Sequence, residues 1–379
     1  MELAPGVYPQ DVFPPPPRGL LTGVPAFLGL AGGEPFIRHR VALWPEFVAA
    51  YGAATKGFLA TAVRGFFEND GQLCYVVPLG PDLLTPGALR AGLAALDALD
   101  DIDLVCVPDL ISTDLWPVGA PVAGVAGLQR AVLDHCAARG DRFAILDGVP
   151  IAELTSAAQE QHDALIGPAG GYGALYSPWL YVPGADGAPR YVPPCGHVAG
   201  VISRTDLQVG VHKAPANEVV EGVLDLQLIL TAQDAGRFHE GGVNALRALP
   251  GRGIRVWGAR TLAADPAWRD VNVRRTVLTV RRWLQRFTEG LVHEPNDVRL
   301  WVRIMRELAA YLDDLYQRGA LKGRSAAEAF FVKCDNETNT PDVVDAGLVV
   351  TQIGLALSAP AEFIDVRVIH GASGVTVTQ

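Results

Sequence analysis

Four consecutive prolines, Pro14–Pro17, cut the first strand-forming segment of this 379-residue chain away from everything after it. In "APGVYPQDVFPPPP", Val7, Tyr8, Val12 and Phe13 have the composition of a strand. Proline fixes φ and lacks the amide donor, so the run that follows prefers a stiff extended helix without internal hydrogen bonds. A tight hairpin cannot form there, and the strand has to find its partner elsewhere. The other end poses the same problem. "FIDVRVIH" alternates, with Ile364, Val366 and Val368 on one side and Asp365 and Arg367 on the other. After "GASG" the alternation resumes in "VTVTQ", with Val375 and Val377. Strand-forming arms therefore flank a long body.

Within the body, helical spacing alternates with short apolar runs. "PGALRAGLAALDAL" and "LQRAVLDHCAARG" are helical; Leu104–Val107 and "DRFAILDGVP" read as buried strands. Asn69-Asp70-Gly71 is a hairpin signal before a strand at Cys74–Val77. "YGALYSPWLYV" reads as a strand with Pro178 inside it or at a bulge, and "PPCGHVAGVISRTD" starts a helix after its proline pair. This alternation predicts an α/β fold with helices packed on a sheet. Two strong helices follow. In the first, Val273, Val277, Val280, Trp283, Leu284 and Phe287 share one face, and Arg274, Arg275, Arg281, Arg282 and Arg286 lie opposite. The second starts at an Asn296 or Asp297 cap and stops at Gly319, with Leu300, Ile304, Leu308, Tyr311, Leu312 and Leu315 as its buried stripe.

Net charge is −10 but unevenly spread: residues 251–334 hold 16 Lys and Arg against 9 Asp and Glu, a local +7 that leaves −17 on the rest. A basic segment on an acidic chain predicts one face for an acidic partner. Nucleic acid is not expected, because no aromatic residues interleave the basic helix face and the whole chain is acidic. No window has the length and hydropathy of a membrane span, and no basic leader or cleavage site marks a signal peptide. The five cysteines, Cys74, Cys106, Cys136, Cys195 and Cys334, are odd in number, scattered and without a CxxC, which predicts reduced buried thiols of a cytosolic product.

Chemistry is sparse. GxSxG, HExxH and the GxxxxGK[ST] phosphate loop are all missing. His197, Asp206 and His212 are the residues an α/β enzyme of small molecules would use, but fifteen residues separate the two histidines and no ligand pair supports a metal. A polar turn network is the simpler reading. "KCDNETNTPD" lacks the Gly and terminal Glu of an EF-hand and reads as a solvated turn. No cofactor or metal is expected.

The ordered blocks carry a resemblance. "PGVYPQDV", "AFLGLAGGEP", "WPEFVAAYG", "FFENDGQLCYVV", "PPCGHVAGVISRTD", "GVHKAPANE", "GVNALRALPGRGIRVWGARTL", "WRDVNVRR", "EPNDVRLW", "GALKGRSAAEAFFVKCD" and "APAEFIDVRV" follow one another along nearly the whole chain. In this order they resemble contractile tail sheath proteins of phage tails, R-type bacteriocins and extracellular contractile injection systems. The KAPAN and WGARTL blocks are the most specific.

The resemblance implies a subtilisin-like central α/β domain over residues 21–255 and an α+β C-terminal domain facing an inner tube over 256–362. Linker arms would occupy 1–20 and 363–379. The protease motifs of that fold are missing, so a structural role without hydrolase activity is implied. Copies would stack as hexameric rings around an inner tube protein, exchange arm strands with neighbouring subunits, and meet baseplate and terminal cap proteins. Assembly would take place in the bacterial cytoplasm, with no nucleic acid bound and no direct membrane insertion. Lys322 and Arg324 in "LKGRSAAEAF" are the first candidates for contacting the tube, and Arg274, Arg275, Arg281 and Arg282 the second. His293 before EPND and Asp270 in "WRDVNVRR" depart from the family pattern, which leaves a minor sheath-like adaptor at the baseplate or cap as an alternative, beside the small-molecule enzyme.

Overall fold

Short runs of β-branched and aromatic residues, buried on both faces, build the main sheet. The computed structural model describes residues 20–357, apart from 82–83, 113–120, 152–155, 186 and 292, together with the backbone of 363–371 and 374–378. Val7, Tyr8, Val12 and Phe13 lie outside the described residues.

The chain runs through β1 (Pro25–Gly29), β2 (His39–Val41), α1 (Trp44–Tyr51), α2 (Leu59–Glu68), β3 (Cys74–Pro78), α3 (Pro86–Ala95) and β4 (Leu104–Cys106). It continues through α4 (Val122–Arg139), β5 (Phe143–Asp147), α5 (Ala157–Leu165), β6 (Gly173–Ser177), β7 (Leu180–Pro183), β8 (Pro189–Val192) and α6 (Cys195–Gln208). β9 (Asp225–Leu226), α7 (Ala232–Glu240), β10 (Asn244–Leu249) and β11 (Gly253–Val256) close this part. Then come α8 (Val271–Glu289), α9 (Val298–Gln317), α10 (Ala326–Ala329), β12 (Phe330–Lys333), α11 (Pro341–Asp345), β13 (Val349–Ala356), β14 (Phe363–Gly371) and β15 (Gly374–Thr378).

The main sheet has the order β11-β10-β6-β5-β4-β1-β3-β2. The six inner strands are parallel, and β11 and β2 are antiparallel edges. Parallel strands need crossover helices, and those helices bury both faces of the sheet. α3, α4, α5 and α7 cover one face, through Leu89, Leu93, Val132, Leu133, Leu165 and Phe238. α1, α2 and α6 cover the other, through Phe47, Val63, Phe66, Val198 and Ile202. α2 and α6 approach closely because α6 carries glycine where they cross: a Cβ on Gly196 would sit 2.1 Å from the carbonyl oxygen of Ala62. A small sheet of order β8-β7-β9 lies beside this body.

Two buried carboxylates tie the helices of that second face to the strands. Asp109 accepts amide protons from Leu30, 2.6 Å away, and from Phe58 at the start of α2. Asp147 accepts one from Cys195, the first residue of α6, at 2.7 Å. Burial pushes their pKa values up, to about 6 for Asp109 and about 7 for Asp147.

A third core is separate. The apolar face of α8 (Val273, Val277, Val280, Leu284) meets α9 (Leu300, Ile304, Leu308, Leu312) and the inner residues Ile353 and Leu355 of β13. Asp297 caps α9 through the amides of Arg299 and Leu300, and Gly319 follows its end with φ +79°. The sheet of this part has the order β12-β13-β14-β15 and is antiparallel throughout.

Several sequence expectations change. Asn69-Asp70-Gly71 makes no hairpin but closes α2: the Asn69 amide donates to Gly65 O at 2.9 Å, and Asp70 takes the left-handed conformation with φ +63°. The single strand expected at Tyr172–Val182 is two, β6 and β7, in different sheets and separated by the cis Ser177–Pro178 peptide. All five cysteines are free and buried. Among the described residues no helix is long and apolar enough to cross a membrane, and no cluster of His, Cys, Asp and Glu is placed to hold a metal ion.

Candidate assembly interface

α8 belongs to two cores at once, because Val271 and Leu278 join the central body while Val273, Val277, Val280 and Leu284 join the C-terminal one. At 3.6 residues per turn, Arg275, Arg282 and Arg286 fall within about 40° of one another on the central-body side, beside Arg274 and Arg281.

There the arginines are consumed internally. Arg275 is buried and forks onto Asp206, with Nη1 2.8 Å from Oδ1 and Nη2 2.6 Å from Oδ2, and Nη2 also reaches Asp103 Oδ2 at 2.8 Å. Burial alone would lower the Arg275 pKa, but the two carboxylates outweigh it and raise it, so the cation stays charged. Asp103 turns its oxygens to the start of the described chain, accepting from Gly23 N at 3.0 Å and Val24 N at 2.7 Å. Arg282 donates to Leu21 O at 2.9 Å and to Asp101 O at 3.1 Å. Arg286 pairs with the Asp101 carboxylate at 2.9 Å. Gly23 is needed in this clamp: its φ is +69°, and a Cβ there would lie 2.5 Å from Ser203 Cα on α6. Arg274 is buried between the rings of Tyr172 and Trp268, 3.9 Å and 4.4 Å from their centroids. Arg281 is half-buried against Gly140.

Arg274, Arg275 and Arg282 are thus buried within the chain, which corrects the expectation that they present a basic face to an inner tube; Arg281 is only half-buried. An amphipathic pattern marks a helix with one apolar face, but it does not tell water from a second protein surface lined with acids and carbonyls. The start of the described chain, Leu21–Val24, is instead fastened to α8. Sequence reasoning missed Asp103 and the carbonyls it works beside. The available signal was the acidic "DDID" placed directly before a buried strand, with an arginine-striped helix elsewhere in the chain.

Lys322 and Arg324 are different. Their turn is held by backbone bonds, Lys322 N to Ala356 O at 2.8 Å and Arg324 N to the Glu328 carboxylate at 2.8 Å, and both residues are exposed. The C-terminal strands fold onto their own chain. Ile364, Val366 and Val368 of β14 stand opposite Leu355, Ile353 and Thr351 of β13, and Val375 and Val377 of β15 stand opposite His370 and Val368. Among the described residues β12 and β15 are the edges of this sheet, each with one side unpaired.

The enzyme candidates do not converge. His197 is buried on α6, and among the described residues neither ring nitrogen has a hydrogen-bond partner; burial lowers its pKa to about 4. Asp206 is occupied by Arg275. His212 is half-buried, and its carbonyl accepts from Asn272 at 2.9 Å.

Comparison with known proteins gives a consistent result. The phage tail sheath protein central domain matches residues 92–262, and the phage tail sheath C-terminal domain matches 263–369. The chain is similar to the helical sheath of the anti-feeding prophage in its contracted state (29% identity, TM-score 0.72, 96% of this chain and 98% of that one). It is equally similar to the contracted sheath complex of PVC, an extracellular contractile injection system (29%, TM-score 0.74, 96% of each chain). The tail sheath protein of Salmonella phage ViI is 22% identical over 377 residues, and this chain spans 58% of that protein's length. The two matched domains meet at residues 262 and 263, just before the helix that carries the clamp, and on their joint span the chain belongs to the phage tail sheath protein family.

Proposed function

We propose that the chain is the structural subunit of a contractile sheath. Copies self-associate as stacked hexameric rings, a helical tube around an inner tube, and contract from a metastable extended state to drive that tube through a target envelope. The observation that carries this reading is the C-terminal sheet with two open edges on a chain whose ends are both strand-forming. An open edge offers unpaired amides and carbonyls to another chain, and strand addition satisfies them. One five-residue arm adds a handful of hydrogen bonds at roughly 0.5–1.5 kcal/mol net each, which is weak alone. Several arms per subunit raise the effective concentration of each contact and hold the lattice together. Head-to-tail contacts that do not close give helical assemblies.

In this reading residues 1–19 are the tether, the free β12 and β15 edges receive strands from neighbouring copies, and the exposed Lys322 and Arg324 face the tube. Burial of interface area drives contraction, so no nucleotide and no cofactor is used and the chain is not an enzyme. Its partners are further copies, the inner tube, and baseplate and cap proteins. It is made in the bacterial cytoplasm as part of a tail or tail-like particle. The test is a chain lacking residues 1–19, expressed with its tube protein and viewed by negative-stain electron microscopy. Folded subunits without sheaths are expected; sheaths of normal length would refute the tether role.

A further inference from the structure

The β10–β11 hairpin carries charge that no carboxylate among the described residues neutralises. Leu246 and Val256 face the core, and on the other side of the ribbon Arg247 stands directly opposite Arg255. Trp257 follows on that same outer side, 37% exposed, with the Arg247 guanidinium 5.0 Å from its ring centroid. Arg252, in the turn, is exposed. Like charges directly opposite one another weaken a ladder. Among the described residues no carboxylate forms an ion pair with Arg247, Arg252 or Arg255. Arg255 is held by the carbonyls of Asn217 and Arg252, and Arg247 Nε is buried without an acceptor. Rigid arginines framed by tryptophan are the composition of an interface anchor.

The complementary group lies on the same sequence. Asp342 and Asp345 on α11 are exposed, and among the described residues neither is in an ion pair. Three residues apart on a helical turn, their Cβ atoms are about 5–6 Å apart. Directly opposed strand residues have Cβ atoms about 4.5–5.5 Å apart. Two exposed acids and two opposed arginines thus spring from Cβ positions of similar spacing and opposite charge, and carboxylate–guanidinium bonds are charge-assisted and directional. We propose that the Arg247–Arg255 face, with Arg252 and Trp257 beside it, docks the Asp342–Asp345 turn of a second copy of this chain. This rests on the self-association put forward above, and it names one contact of that lattice that involves no arm.

The experiment uses the full chain with its tube protein and measures assembled fraction by sedimentation at moderate salt. Arg247→Glu/Arg255→Glu is expected to lower assembly at least tenfold. Because Arg255 also braces Asn217, the second variant is Asp342→Lys/Asp345→Lys, which alters an exposed turn; it should lose assembly to the same degree while circular dichroism stays that of the parent. Combining all four substitutions restores the pairing with signs exchanged and should recover most of the loss. Normal assembly of the folded aspartate variant overturns the proposal. So does a loss confined to the arginine variant, which would assign the patch to another acidic partner, or a fourfold variant that recovers nothing. A parent chain that never assembles would overturn the sheath reading and this contact together, whereas a parent that assembles alongside unaffected variants overturns the contact alone.

Discussion

Replacing Arg275 with methionine removes the cation at the centre of the clamp while keeping a side chain of similar reach. The guanidinium makes two bonds to Asp206 and one to Asp103, in a site where Arg275 is 3% exposed. Water cannot enter to replace it, so two carboxylates are left facing each other. Removing one member of a buried ion pair costs about 3–5 kcal/mol. Asp103 keeps its amide donors from Gly23 and Val24, which holds the loss within that range rather than at twice it. Removing the acid together with the base changes the sign of the argument. An apolar pair of similar volume is often neutral, so Asp206→Leu/Arg275→Met should lie within about 1–2 kcal/mol of the parent. Urea denaturation followed by far-UV circular dichroism of the parent, Asp206→Leu, Arg275→Met and the double variant gives the four corners of the cycle. Hydrogen exchange at the Gly23 and Val24 amides reports the clamp itself and should speed up at least tenfold in Arg275→Met. A single variant within about 1 kcal/mol of the parent, or a double variant as unstable as the sum of its parts, would refute the account of α8 as a buried electrostatic clamp.

Two further outcomes follow from single groups. Burial raises Asp147 from 3.8 to about 7, so its neutral form favours the folded chain; that contribution is complete below pH 4 and is lost as pH rises to about 7. At about 1.4 kcal/mol per pKa unit this is on the order of 3–4 kcal/mol, and the difference in urea stability between the parent and Asp147→Asn should drift by that much from pH 4.5 to 7.5; parallel profiles would contradict it. Reversing the exposed pair in Lys322→Glu/Arg324→Glu should leave thermal unfolding within about 0.5 kcal/mol of the parent and yet prevent tube-filled extended sheaths, an outcome read by electron microscopy and contradicted by normal filled particles.

The sequence carried most elements of the body because their signals were local. Gly140 ends α4 in the left-handed conformation, Asp297 caps α9, and the Leu300–Leu312 stripe is buried as its spacing predicts. The misreadings came where a local signal met a non-local partner. Asn69-Asp70-Gly71 has hairpin chemistry, but the preceding Leu59–Glu68 had α6 to pack against and became a helix, so the same residues serve as its stop. The arginines of α8 were located correctly and assigned wrongly, since the spacing of a helix gives its faces but not what covers them. Asp103 and Leu21 lie about 170 and 260 positions from the arginines they meet, too far for any periodicity to join them. Part of the charge surplus of residues 251–334 is spent internally for the same reason: Arg275, Arg282 and Arg286 are engaged by the acidic 100–103 segment of the same chain, while Arg252, Lys322 and Arg324 stay exposed.

The clamp also restricts where a sheath subunit of this design can change shape. α8 lies in the cores of both the central body and the C-terminal body, and its arginines fasten Leu21–Val24 to the same unit. Opening it would expose a desolvated ion pair and two apolar faces, a cost far above that of one exchanged strand. In the proposed sheath the central body, the C-terminal body and Leu21–Val24 would therefore move together, and a change of state would fall on the pairing of β14 and β15 and on surface contacts such as the opposed Arg247 and Arg255. In the proposed sheath, force applied at Leu21–Val24 would reach α8 through Arg282 and Asp103, and through α8 the C-terminal core that carries β13.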